Sequence, residues 1–178
     1  MSKKTIFIGF ILTLFATSFF YSCSKNEETD LFSSVIKNNK GDFRNIILNS
    51  EITEIRKYED KKALINETSE LLEYKYKIDE KNSYSITYNF DSKGLYSIDI
   101  QIDIHDNPDS LSVKKGHKLY QKFFNRFQKK YGTPEKISDE NYSWSFKSIS
   151  GNNAVIQLTD NSNLDDYGSI NIIIEAVQ

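Results

Sequence analysis

The sequence predicts an α+β fold: one antiparallel sheet built from two helix-plus-three-strand repeats, with both helices packed on one face. Three observations carry this. Tyr84, Ile86, Tyr88 and Phe90, then Tyr96, Ile98, Ile100, Ile102 and Ile104, alternate strictly with polar residues, which is the period of a half-buried strand. Val113, Tyr120, Phe123, Phe124, Phe127 and Tyr131 mark one stripe of a helix. The order helix then three strands occurs twice, over residues 44–104 and 111–176. The pattern repeats, while the residues themselves do not.

Taken in order, Leu31 to Asn39 reads either as a short helix or as the end of a tether. Asn38-Asn39-Lys40-Gly41-Asp42 is a turn cluster. Asn49-Ser50 offers a cap for a first helix over residues 50–59, whose face carries Ile52, Ile55 and Tyr58. A strand follows over Leu71 to Ile78. The alternating strands 84–90 and 96–104 are joined by the hairpin turn Asp91-Ser92-Lys93-Gly94. Ser110 or Ser112 caps the second helix, and Gly132 ends it, with Pro134 just beyond. Strands are then expected around Tyr142-Trp144-Phe146, Ala154-Ile156-Leu158 and Gly168 to Val177, with an acidic loop from Asp160 to Asp166 before the last.

The N-terminal stretch sets where the chain resides. Lys3 and Lys4 precede a charge-free run from Thr5 to Phe20, the pattern of a secretory signal. Phe20-Tyr21-Ser22-Cys23 resembles a bacterial lipobox, with Phe20 where Leu is usual. The resemblance implies cleavage after Ser22 and acylation of Cys23, the only cysteine in the chain. Each buried methylene is worth about 0.8 kcal/mol, so a multiply acylated cysteine anchors firmly. The expected division is a signal peptide over 1–22, a lipidated cysteine and polar tether over 23–42, and one domain over 43–178. Ser24-Lys25-Asn26-Glu27-Glu28-Thr29-Asp30 is similar to the surface-export signal of lipoproteins in one Gram-negative phylum. The expected location is therefore the outer membrane, with the cell surface slightly favoured over the periplasmic face.

Lys3 and Lys4 leave with the signal, so 23 basic residues become 21 against 25 acidic ones, a net charge of −4. That mild acidity argues against nucleic acid as a partner.

Phe43-Arg44-Asn45-Ile46 before Asn49-Ser50 and a helix resembles the start of the repeat in the β-lactamase-inhibitor-protein-like fold. Lys130-Tyr131-Gly132-Thr133-Pro134, a strand bearing Trp144, and a strand ending Gln157-Leu158 resemble its later part. Asn49 stands where that repeat usually has Gly. The resemblance implies binding of a protein partner through the exposed sheet face and loops, without catalysis or cofactor. A partner in the envelope is the first expectation; a carbohydrate or small ligand at the surface is the alternative.

Candidate residues follow from parity. Ser85, Thr87, Asn89, Ser97, Asp99, Gln101 and Asp103 should share the wet face of the hairpin. Lys114, Lys118, Lys122 and Arg126 form a basic stripe at four-residue spacing on the second helix. Asp103, His105, Asp106 and Asp109, and likewise Asp160, Asn161, Asn163, Asp165 and Asp166, are oxygen-rich but lack the spacing and glycine of a calcium helix-loop-helix, so no metal is assigned. Neither a Gly-x-Ser-x-Gly nor a His-Glu-x-x-His motif occurs. His105 and His117 are the only histidines, and no catalytic residue is assigned.

Overall fold

The computed structural model describes residues 27–37 and 40–177. The signal segment and Cys23 lie outside the described residues. Helices α1 (Glu27–Ile36) and α2 (Ile52–Tyr58) precede strands β1 (Leu64–Glu67), β2 (Leu71–Lys77), β3 (Asn82–Asp91) and β4 (Gly94–Ile104). Helix α3 (Asp109–Tyr131) then leads to β5 (Glu135–Ser138), β6 (Asn141–Lys147), β7 (Asn153–Asp160), the single turn α4 (Ser162–Asp165) and β8 (Gly168–Ala176). All eight strands form one sheet in the order β1-β2-β3-β4-β8-β7-β6-β5, and every neighbour pair is antiparallel.

The mixed α+β class holds, but α2 and α3, the two helices expected to head the halves, are each followed by four strands where three were expected. The additional strands, β1 and β5, are short edges with little or no buried side, so they carry no alternation to read. Each is bulged, at Ile65 and at Ile137. Those two isoleucines are 56% and 55% exposed. A bulge on a short edge strand discourages pairing with another sheet.

One row of side chains shows how the core is built. Tyr74, Ile86, Ile100, Ile172, Leu158 and Tyr142 are successive partners across six strands. All are buried except Tyr142, which is partly so. Against this face pack Leu31 and Val35 of α1, Ile55 of α2, and Leu119, Phe123 and Phe127 of α3. Each such side chain, fully buried, contributes about 1.5–3 kcal/mol of transfer free energy. Close contact of α3 with the sheet depends on glycine: a Cβ on Gly116 would lie 2.8 Å from the Gly168 Cα.

Several local expectations change. Tyr96 does not join the core; a bulge at Asn89/Phe90 pairs Phe90 with Leu95, so Leu95 is buried and Tyr96 is 37% exposed. Helix α2 starts at Ile52 after Glu51, not at a Ser50 cap, and Tyr58 is 45% exposed. Helix α3 follows Pro108 with no side-chain cap. Ser112 is buried instead, its hydroxyl accepting from the Asp106 backbone N–H at 2.5 Å. The domain boundary expected at residue 43 falls inside the folded unit. Leu31 and Val35, four residues apart on one helical face, are buried in the core. The loop expected from Asp160 contains α4, and Asp160 itself closes β7.

Candidate functional site

The sheet's second face faces away from the helices. Its register places the sequence-predicted residues together: Ser85 opposite Gln101, Thr87 opposite Asp99, Asn89 opposite Ser97, and Ser83 opposite Asp103. Ser97 is nearly fully buried, and the other six predicted residues are half-buried. The face does not stop at this hairpin. Asp99 pairs with Ile173, Gln101 with Asn171 and Asp103 with Ser169 on β8, and Ile173 and Asn171 pair with Gln157 and Thr159 on β7. One polar row therefore runs Glu73, Thr87, Asp99, Ile173, Gln157, Ser143 and Glu135. Parity on β7 and β8 contained this extension, but only the strand order joins it to β4.

Asp99 lies mid-row. Its carboxylate accepts from Asn89 Nδ2 at 2.9 Å and from the Ser97 hydroxyl at 3.3 Å. Burial raises its carboxyl above the usual range, against the pull of those two hydrogen bonds. A half-dry carboxyl in a field of amides and hydroxyls is suited to pairing with a donor from outside, because a partner that covers it supplies what solvent no longer does. Gln101 Nε2 donates to Asp103 at 3.2 Å and to Ser169 at 3.1 Å. At that end of the face the His105 and Tyr167 rings stack with centroids 4.5 Å apart. Beside them a cleft of about 370 Å³ opens among Lys75, Lys77, Lys81, Ser83 and His105.

On the core side a buried charge network fixes the first helices, and no sequence motif announced it. Arg44 adopts a positive φ of 53° and is 1% exposed. Its Nε and Nη2 donate to Glu59 Oε1 and Oε2, each at 3.0 Å. Its Nη1 donates to the carbonyls of Ser34 and Val35 at 2.6 and 2.7 Å, at the end of α1 where carbonyls lack helical partners. Glu59 also accepts from the Tyr88 hydroxyl at 2.6 Å, from Lys37 Nζ at 2.8 Å and from the Tyr76 hydroxyl. The Tyr76 and Tyr84 rings stack at 4.9 Å beneath the guanidinium. Burial alone would raise the Glu59 carboxyl, but the hydrogen bonds and charge of Arg44, with Lys37 and Tyr76, hold it at about 2. With every oxygen engaged, this network is a clamp between α1, α2 and the sheet.

His117 Nδ1 lies 2.6 Å from Asp160, which is nearly fully buried, while His117 itself is 43% exposed. The Asp160 hydrogen bond raises the His117 pKa above the ordinary histidine value. Ser162 follows two residues on, but its buried hydroxyl is bonded to the Ser169 backbone N–H and C=O. These three groups are therefore not arranged for nucleophilic attack. Because the folded pKa is raised, the stabilisation from this pair is full below the unfolded value near 6.5 and is lost as pH rises through the folded value. NMR titration is expected to show His117 protonating above that value, with Asp160→Asn removing the upward shift. An unchanged midpoint in Asp160→Asn would contradict the pairing.

The basic stripe has Lys114 and Lys118 exposed and Lys122 and Arg126 half-buried. The carboxylates of the two acidic loops have separate partners: Asp106 binds Lys81 at 2.7 Å and Lys115 at 2.6 Å, whereas Asp160 faces His117. Among the described residues, no three His, Cys, Asp or Glu side chains gather into a metal-holding group. No described helix is long and apolar enough to cross a membrane.

A family model described as TP0088 domain matches residues 32–164. That match spans well over half of the 178 residues, and the chain belongs to the TP0088 domain family. It starts within α1, in keeping with the burial of Leu31 and Val35. No curated protein and no solved structure matches the chain.

Proposed function

We propose that this member of the TP0088 domain family is a non-enzymatic envelope lipoprotein. In this reading it is held at the outer membrane through acyl chains on Cys23. It binds a protein partner, as an accessory subunit or inhibitor, through the polar face of its sheet. The observation that carries the reading is the polar row running from β2 to β5 with Asp99 near its middle, on the side away from the helices. Side-chain amides, hydroxyls and a few carboxylates on a rigid sheet suit hydrogen bonding to a protein surface. Nucleic acid is not the partner, given the acidic balance.

We read the fold as two tandem repeats, as the β-lactamase-inhibitor-protein-like resemblance implies, each extended to four strands. Equivalent registers support this. Tyr74 pairs with Ile86 as Trp144 pairs with Ile156, and Leu71 pairs with Asn89 as Asn141 pairs with Thr159, at one common offset. The edge strand of each half is bulged at an isoleucine, Ile65 and Ile137, but two residues apart in register: Ile65 lies across from Glu73 and Tyr74, Ile137 across from Asn141 and Tyr142.

The test is a cross-linked pull-down of the lipidated protein from its native membranes, read by mass spectrometry, beside Cys23→Ala. A single stoichiometric partner, lost in the variant, is expected. Absence of an enriched partner would contradict the reading and favour a carbohydrate or small ligand. The stacked His105 and Tyr167 beside Asp103, Gln101 and Ser169 are the feature that favours that second reading.

A further inference from the structure

We propose that the helical layer, led by the basic crest of α3, rests on phosphate-bearing lipid headgroups, so that the polar sheet face points away from the bilayer. This rests on the anchor reading above and adds an orientation to it. Two independent observations carry it.

The first is the length of chain between anchor and fold. Only three residues lie between Cys23 and Glu27, the first residue of α1, so the four steps reach at most about 14 Å. Helix α1 lies in the layer on the core side: Ser34 accepts the Tyr84 hydroxyl at 3.1 Å, and the Phe32 ring lies 5.0 Å from that of Phe123 on α3. So short a connection holds the acylated cysteine within that reach of the α1 N-terminus, and α1 belongs to the helical layer.

The second is charge. Helix α3 carries seven Lys or Arg, at 114, 115, 118, 122, 126, 129 and 130, against the single acid Asp109. Lys114, Lys118 and Lys129 are exposed on its outer side. The opposite sheet face carries Glu73, Asp99, Asp103 and Glu175, with basic residues towards its margins. An anionic surface attracts the outer side of α3 and repels the centre of the sheet face. A lipid anchor confines the protein to that surface, so a modest preference suffices to orient it.

The experiment uses full-length acylated protein, in which an introduced cysteine is the sole free thiol. Gln121→Cys places a fluorophore on the outer side of α3, and Lys75→Cys places one on the polar sheet face. Both are reconstituted in phosphatidylcholine vesicles, with and without phosphatidylglycerol, containing a headgroup-nitroxide lipid as quencher. The expected result is strong quenching at position 121 and little at 75, the contrast growing with phosphatidylglycerol and shrinking in Lys114→Glu/Lys118→Glu. Equal or stronger quenching at 75, or indifference to phosphatidylglycerol, overturns the proposal. So does an unquenched label at 121 in native membranes that instead cross-links to an acidic envelope protein. Mass spectrometry of the same sample separates the two claims: an unacylated Cys23 removes the anchor reading and this orientation together, whereas an acylated Cys23 with the reverse contrast overturns the orientation alone.

Discussion

Arg44→Ala is expected to destabilise the protein by about 3–5 kcal/mol, the usual cost of stranding one member of a buried ion pair. Glu59 would keep its tyrosine and Lys37 donors but lose the bidentate guanidinium, and the Ser34 and Val35 carbonyls would lose theirs. Urea unfolding followed by tryptophan fluorescence checks this, Trp144 being the only tryptophan and 1% exposed. A loss under about 1 kcal/mol would place the network among ion pairs of no consequence for stability.

The same network sets the acid limb of stability. The folded Glu59 pKa of about 2 lies below its ordinary 4.5. A depressed carboxylate contributes stability that is full above the unfolded value and is lost as pH falls through the folded one. The contribution should therefore decline between about pH 4.5 and pH 2 and be on the order of 3 kcal/mol at its full value. Glu59→Gln should flatten that limb.

Asp42→Ala should cost about 3 kcal/mol, by unpairing two buried donors and a partly buried one at once. The Asp42 carboxylate accepts from the Leu48 backbone N–H at 2.9 Å, the Ser148 hydroxyl at 2.6 Å and the Ile149 backbone N–H at 2.9 Å. It thus joins the segment before α2 to the turn after β6, far apart in sequence. Asp42→Asn, retaining one acceptor oxygen, should cost distinctly less. Equal midpoints for wild type and Asp42→Ala in thermal unfolding would refute the staple.

Strands β3, β4 and α3 were legible because their partners impose a period: one sheet face is dry, and the buried side of α3 must meet it. Tyr96 shows the limit of that logic, since a single bulge moved the core position to Leu95. The edge strands were illegible because exposed backbone pairing leaves no hydrophobic record. The clamp and staple were missed for another reason. Arg44, Glu59 and Asp42 are charged residues in turns or at a helix end, where solvent exposure is the ordinary expectation. Only tertiary structure brings Tyr76, Tyr88 and the end of α1 around them. The hairpin part of the polar face was readable from alternation, whereas its continuation through Ser169, Asn171, Gln157 and Thr159 required knowing that β8 lies beside β4.

The central claim, that the polar sheet face receives the protein partner, is tested most directly by site-specific photo-cross-linking in native membranes. A photoreactive phenylalanine analogue replaces Thr87 or Gln157 on that face, or Gln121 on α3. The account predicts one adduct of the same partner from both sheet positions and none of that partner from position 121. The same partner captured at 121, with neither sheet position reacting, would contradict it.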